Sequence, residues 1–144
     1  MRMVEYRKAT LQDEQQMFVI ANKLATSFVV NENDFKKIYS SLLEDGNVDI
    51  YVADIESKLI GYVLAFHHNT FYANGLVTWV EELYVEEEYR GIKIGKALMQ
   101  LIENAGKKRN TKLIALATRR ASNFYEAIGY EKSATYYKKT IHVS

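Results

Sequence analysis

The sequence predicts a mixed α/β (α+β) fold built on one central sheet, and three observations predict it. Segments of strand character alternate with segments of helical period along all 144 residues. Their order is strand, two helices, three strands, helix, strand, helix, then strands, which suits a sheet covered by helices. No repeat, low-complexity linker or second core divides the chain. Residues 1–144 therefore read as a single domain, long enough to bury about two-thirds of its unfolded surface.

Each element has a local reason. Val4 to Lys8 alternates weakly and reads as an edge strand. Thr10-Leu11-Gln12-Asp13 has the form of a capping box, with Asp13 reaching back to Thr10. The helix it opens carries Met17, Ile20, Ala21, Leu24 and Ala25 on one side. Asn31 to Asn33 interrupt the pattern, and a second helix with Phe35, Ile38, Tyr39 and Leu42 on its apolar face ends near Gly46. Val48–Ala53 and Leu59–Phe66 are strand-like runs joined by the hairpin-length Glu56-Ser57-Lys58. Leu76 to Val85 is a strand rich in Val, Thr, Trp and Tyr. From Ile94 the period becomes helical through Leu98, Leu101, Ile102 and Ala105. Leu113 to Ala117 reads as a buried strand, parallel to Leu76–Val85 through a right-handed crossover. A short helix from Ala121 to Ile128 ends at Gly129, and Glu131 to Val143 reads as a final pair of strands.

Composition narrows the function classes. Hydrophobic content of 48% with 26% charged residues fits a globular protein, and a net charge of +1 provides no global attraction to nucleic acid or to an anionic membrane. Lys107-Lys108-Arg109 is a local basic group, read first as a solvated helix end. Without cysteine there is no disulfide, no thiolate nucleophile and no acyl-cysteine intermediate. The polar start and the lack of a long apolar run make a cytoplasmic location the default expectation, with no membrane segment.

Chemistry concentrates between Val80 and Leu98, VEELYVEEEYRGIKIGKAL. An acidic strand enters a charged turn, and Arg90-Gly91-Ile92-Lys93-Ile94-Gly95-Lys96 opens straight into an amphipathic helix. Backbone N–H groups at a helix N-terminus suit phosphate, and Arg90, Lys93 and Lys96 add charge. The glycine spacing is that of neither a P-loop nor a dinucleotide fingerprint. Glu81 and Glu82 are adjacent on the strand, so they point to opposite faces unless a bulge intervenes. His67 and His68, at a strand end, read as ordinary surface or pocket residues, with no metal-ligand spacing around them. No serine sits on a nucleophile elbow.

The Arg90–Gly95 turn, after a strand ending Leu-Tyr-Val, resembles the acyl-CoA-binding motif Gln/Arg-x-x-Gly-x-Gly/Ala of the GNAT superfamily of N-acyltransferases. Lys93 stands where that motif has its middle glycine. Lysine keeps the backbone N–H, and it costs little if the backbone there is already helical. Downstream, Ala121-Ser122-Asn123-Phe124-Tyr125-Glu126-Ala127-Ile128-Gly129-Tyr130 resembles the later motif A-x-x-F-Y-E-x-x-G-F/Y, with Thr118 in place of a frequent Asn. Both motifs stand in the expected order, and the resemblance is sharp from Val80 to Tyr130.

The resemblance implies a mostly antiparallel central sheet with about four helices, and acetyl transfer from acetyl-CoA directly to a primary amine. It implies cofactor contacts from Leu83, Tyr84 and Val85 on the strand, from Arg90, Gly91, Ile92, Lys93, Ile94, Gly95 and Lys96 at the turn, and from Asn123 downstream. It also implies Tyr125 as the acid that meets the leaving thiolate, Glu81 as the base, directly or through water, and Glu82 as a contact for the substrate ammonium. Tyr125 reads equally as a core aromatic, and the two readings are compatible. Partners implied are a small-molecule or peptide amine, without nucleic acid, membrane or metal; a homodimer through a sheet edge is compatible with the family. Acceptor contacts are expected from the two N-terminal helices and the His67–Asn74 loop. The alternative is a catalytically idle acyl-CoA-binding module.

Overall fold

Alternation in the strands and the 3.6-residue period in the helices sort the apolar side chains into two cores, one on each face of a five-stranded sheet. The computed structural model describes residues 3–25 and 28–142. In chain order the elements are β1 (Glu5–Lys8), α1 (Glu14–Leu24), α2 (Glu32–Glu44), β2 (Val48–Ile55), β3 (Lys58–Thr70), β4 (Gly75–Val85), α3 (Ile92–Lys108), β5 (Leu113–Leu116) and α4 (Ser122–Ala127). Short 3-10 turns occupy Leu11–Asp13 and Glu87–Tyr89. The strands lie in sequence order, β1 to β4 antiparallel and β5 parallel to β4.

Met17 and Ile20 of α1 and Tyr39 of α2 pack with Val52, Tyr62 and Leu64 on one face. Leu98, Met99 and Ile102 of α3 pack with Ala53, Val63 and Val80 on the other. The N-terminal helix begins as expected: the Thr10 N–H donates to Asp13 Oδ2 (2.8 Å). The same carboxylate holds Arg7 (2.8 Å), which also reaches the buried Asp54 (3.0 Å), so β1, β2 and the start of α1 share one partly buried ion cluster. Asn31 caps α2 by accepting from the Asp34 N–H (3.0 Å), so the helix starts at Glu32, inside the expected interruption. Glu56 and Ser57 form the β2–β3 turn with φ of 48° and 71°, a left-handed pair suited to a two-residue hairpin.

Three expectations are corrected. β5 is an edge strand, with Leu113 40% exposed, because no strand among the described residues covers its outer side. Residues 131–142 form no strand pair: Tyr136, Tyr137 and Ile141 are exposed, and Lys138–His142 run along a cavity beside α1 and α2. Strand propensity needs a neighbouring ladder to be realised, and this tail has none. Val143, the last residue of that expected pair, lies outside the described residues. Third, β3 runs past the expected end at Phe66 to Thr70, so His67 lies inside the sheet, 3% exposed, and His68 is exposed; both line a smaller cavity with Asn47, Trp79 and Glu81. His67 bridges Asp49 (2.7 Å) and Thr78 (2.8 Å), and Thr78 meets Thr111 (2.9 Å), so it ties β2, β3 and β4 to the start of β5. Arg109 belongs to the same region, donating to the Gly46 carbonyl at 2.8 Å.

Candidate active site

Side-chain direction along β4 is set by its pairing with β3. Leu64 faces Glu82 and Ala65 faces Val80, so Glu81 is an extra, unpaired residue and β4 carries a bulge there. Val80 belongs to the α3 core, whereas Tyr84 belongs to the α1/α2 core, although two even-numbered positions of a regular strand share one face. The bulge therefore turns Glu82 toward α1 and α2 instead of into the α3 core. Glu81 and Glu82 both line one cavity of about 940 Å³ between α1, α2, the sheet and the tail.

The two carboxylates differ in surroundings. Glu81 is exposed. Glu82 is half-buried and accepts from the hydroxyl of Tyr62, which is 1% exposed, at 2.6 Å. Burial pushes the Glu82 carboxyl above its ordinary value, the Tyr62 hydrogen bond opposes that rise, and the charge of Glu81 adds to it. Tyr62 reads in the sequence as one more apolar strand residue. Its partner lies 20 positions away, so only the β3–β4 register discloses the pair.

On its other side β4 has an open edge. Pairing with β5 ends at Val80–Leu116, so Glu81 to Val85 have no strand partner there among the described residues. The Glu86 N–H donates to Ile60 of β3 (2.8 Å), and with a period of two Tyr84 also faces β3 while Leu83 and Val85 face the open side. The Val85 carbonyl accepts from Arg90 Nε at 2.8 Å, in agreement. Arg90 lies over the Tyr84 ring, 5.5 Å from its centre, and the Tyr84 hydroxyl donates to Glu86 (2.8 Å), which pairs with Lys23 of α1 (2.8 Å). The strand end and the turn are thus clamped together.

Gly91 caps α3 with φ 156° and ψ −168°, a combination open in practice only to glycine. Among the described residues no side chain caps this helix. The first N–H groups, at Ile92, Lys93 and Ile94, therefore remain available to an anion. Lys93 is helical and exposed, so a lysine in that position costs the backbone little; Lys96 is exposed as well. Gly95 has a different task. A Cβ there would stand 2.9 Å from the ring of Phe124, so the glycine lets α4 close onto α3. The two sequence motifs therefore touch, through Gly95 and Phe124.

Tyr125, on α4, makes edge-to-face contacts with Phe124 (5.0 Å) and Tyr130 (6.0 Å), in the cluster that holds Leu83 and Val85. Burial pushes its phenol up to about 12. Asn123 is exposed on α4. The Thr118 hydroxyl accepts from the Ala121 N–H at 3.0 Å and shapes the entry to that helix. No group of three or more His, Asp or Glu side chains is arranged to hold a metal ion among the described residues, and no helix there is long and apolar enough to cross a membrane.

A family model described as acetyltransferase (GNAT) domain matches residues 46–132, more than half of the chain. No curated protein matches it in sequence. Among solved structures, glucosamine-6-phosphate N-acetyltransferase from Arabidopsis thaliana is similar at 18% identity and TM-score 0.85, covering 97% of this chain and 99% of that one. An aminoglycoside N-acetyltransferase in complex with CoA is similar at 15% identity and TM-score 0.84, covering 98% and 97%. A predicted acetyltransferase with acetyl-CoA from Clostridium acetobutylicum has 17% identity and TM-score 0.80, covering 96% of each chain. At these identities the likeness establishes the fold.

The Gly95–Phe124 contact yields a stability prediction. Gly95→Ala costs about 1 kcal/mol in urea unfolding, an overpacking cost of about 2 kcal/mol offset by about 1 kcal/mol from the higher helix propensity of alanine. In a double-mutant cycle with Phe124→Leu the two changes couple by about 1 kcal/mol. Additive effects contradict the packing role assigned to Gly95.

Proposed function

Because the chain belongs to the GNAT acetyltransferase family, we propose that it is an N-acetyltransferase joining acetyl-CoA and a primary amine across β4 in a ternary complex. One observation carries this reading: β4 presents an open edge leading to the α3 N-terminus, and a carboxylate-lined cavity beside that same stretch of strand. A reaction between two substrates uses both. An idle acyl-CoA binder leaves the cavity without a purpose.

The residues fit an acyl-CoA. The Leu83 and Val85 backbone can pair with the pantetheine amides, and the N–H groups of Ile92, Lys93 and Ile94 can meet pyrophosphate. Gly91 permits that turn, and Arg90, Lys93 and Lys96 supply positive charge. Tyr84 and Gly95 support this surface from behind, and Asn123 lies exposed on the adjoining helix. When bound, acetyl-CoA supplies a thioester whose carbonyl carbon takes the amine nitrogen and whose sulfur departs as thiolate.

The environments of the two glutamates support exchanging the roles read from sequence. Glu82, its carboxyl raised by burial, is the better base and takes the first proton of the ammonium, while the exposed Glu81 attracts the cation and relays protons to water. The N–C bond forms as the C–S bond breaks, and the second amine proton neutralises the thiolate. With its phenol near 12, full transfer from Tyr125 to a thiolate of ~8.5 runs uphill by about 5 kcal/mol. Tyr125 therefore donates a hydrogen bond to the departing sulfur and retains its proton.

Thiol release from acetyl-CoA against a panel of primary amines tests this reading. Tyr125→Phe keeps CoA binding and loses about tenfold or more in turnover; unchanged turnover reduces Tyr125 to packing. The pH profile tests Glu82. The base works as carboxylate, so kcat/KM falls as pH drops through a Glu82 value that lies above the ordinary one. Tyr62→Phe removes a hydrogen bond that favours the charged form, so its acid limb moves to higher pH. An unmoved limb, or one moved to lower pH, contradicts Glu82 as the base.

A further inference from the structure

Resting on the reading of the α1/α2 cavity as the acceptor site, we propose that the acceptor is a small primary amine with an apolar alkyl or aryl body, and not a polyol or a polyamine. The cavity holds about 940 Å³, room for a small organic molecule. Its wall is formed by Met17, Ala21 and Leu24 of α1 and by Phe35, Ile38 and Leu42 of α2. Ile38 is 57% exposed and Phe28, at the α1–α2 connection, is 46% exposed, so these helices leave apolar surface uncovered on the cavity side.

Polar groups lie at the sheet floor, at the start of α2 and on the tail, away from that wall, and the two tyrosine hydroxyls are engaged. Tyr39 donates to the Thr10 carbonyl at 2.6 Å, and Tyr62 donates to Glu82 at 2.6 Å. Neither of these two donors is left for a sugar hydroxyl, and a polyol laid against the Met17, Leu24, Phe35, Ile38 and Leu42 wall leaves the hydroxyls on that side unpaired. Glu81 and Glu82 supply negative charge where the sheet floors the cavity, matched to one ammonium. Away from them the lining carries Asp34 on α2 with Lys138, Lys139 and His142 on the tail. That mixed charge provides no second carboxylate pair for a further cation of a polyamine.

An alkylamine series tests the proposal: ethylamine, butylamine, hexylamine and phenethylamine against spermidine, kanamycin and glucosamine 6-phosphate, with kcat/KM read from thiol release. Each buried methylene is expected to raise kcat/KM about threefold to fourfold, the transfer energy of one CH2 expressed as a ratio. Phenethylamine should exceed all three polar amines. Ile38→Asp, at an exposed position of the wall, should flatten the chain-length dependence, and a CoA-induced thermal shift equal to that of the parent verifies that the variant folds. A flat series in the parent, or preference for spermidine, kanamycin or the sugar phosphate, overturns the apolar acceptor while leaving the acetyltransferase reading intact. Failure of the parent to bind CoA overturns both.

Discussion

The bulge at Glu81 is the constraint from which the candidate site follows. In a regular strand Glu82 would enter the α3 core among Val80, Leu98 and Ile102, where an unpaired carboxylate is costly to bury. One extra residue in β4 resets the alternation, and Glu82 meets Tyr62 on the opposite face instead. Pairing with β5 stops at Val80, one residue before the bulge. The same local break therefore brings two carboxylates to a cavity and leaves Leu83 and Val85 with an open edge.

The rest of the architecture holds this break in place. β3 supplies the fixed ladder against which the shift is measured, and its buried residues Ile60, Tyr62 and Val63 leave it little freedom. Beyond Val85, Arg90 returns to the strand carbonyl, and Glu86 links the same strand end to Lys23 of α1. Gly95 allows α4 to rest on α3, so Tyr125 stands in the same cluster as Leu83 and Val85. A strand, a helix start and a short helix, separate in sequence, converge on one open edge.

Much of this was legible in the residues, for identifiable reasons. The Arg90–Lys96 turn and the Phe124-Tyr125 segment are contiguous, so their meaning survives without knowledge of the fold. Helices α1, α2 and α3 and strands β2 to β4 followed from periodicity, because each buries a continuous stripe or face. The bulge was not readable, since register belongs to two strands jointly and Glu81-Glu82 looks the same in either alignment. Tyr62 was hidden for the same reason. Leu113–Ala117 is apolar enough for a central strand, yet whether it is covered depends on the tail, whose tyrosines and Ile141 find no strand to join. The burial of His67 was not readable, because β3 continues past Phe66 and burial there depends on Asp49 and Thr78 as partners.

The central claim is that the β4 edge beyond Val80 and the start of α3 form one surface for the acyl donor. Amide hydrogen exchange resolved by residue, with and without CoA, tests it most directly. Leu83, Val85, Lys93 and Ile94 should gain protection on CoA binding, while Tyr84, already turned toward β3, should change little. CoA binding without protection at Leu83 and Val85, or with equal protection at Tyr84, would contradict the account.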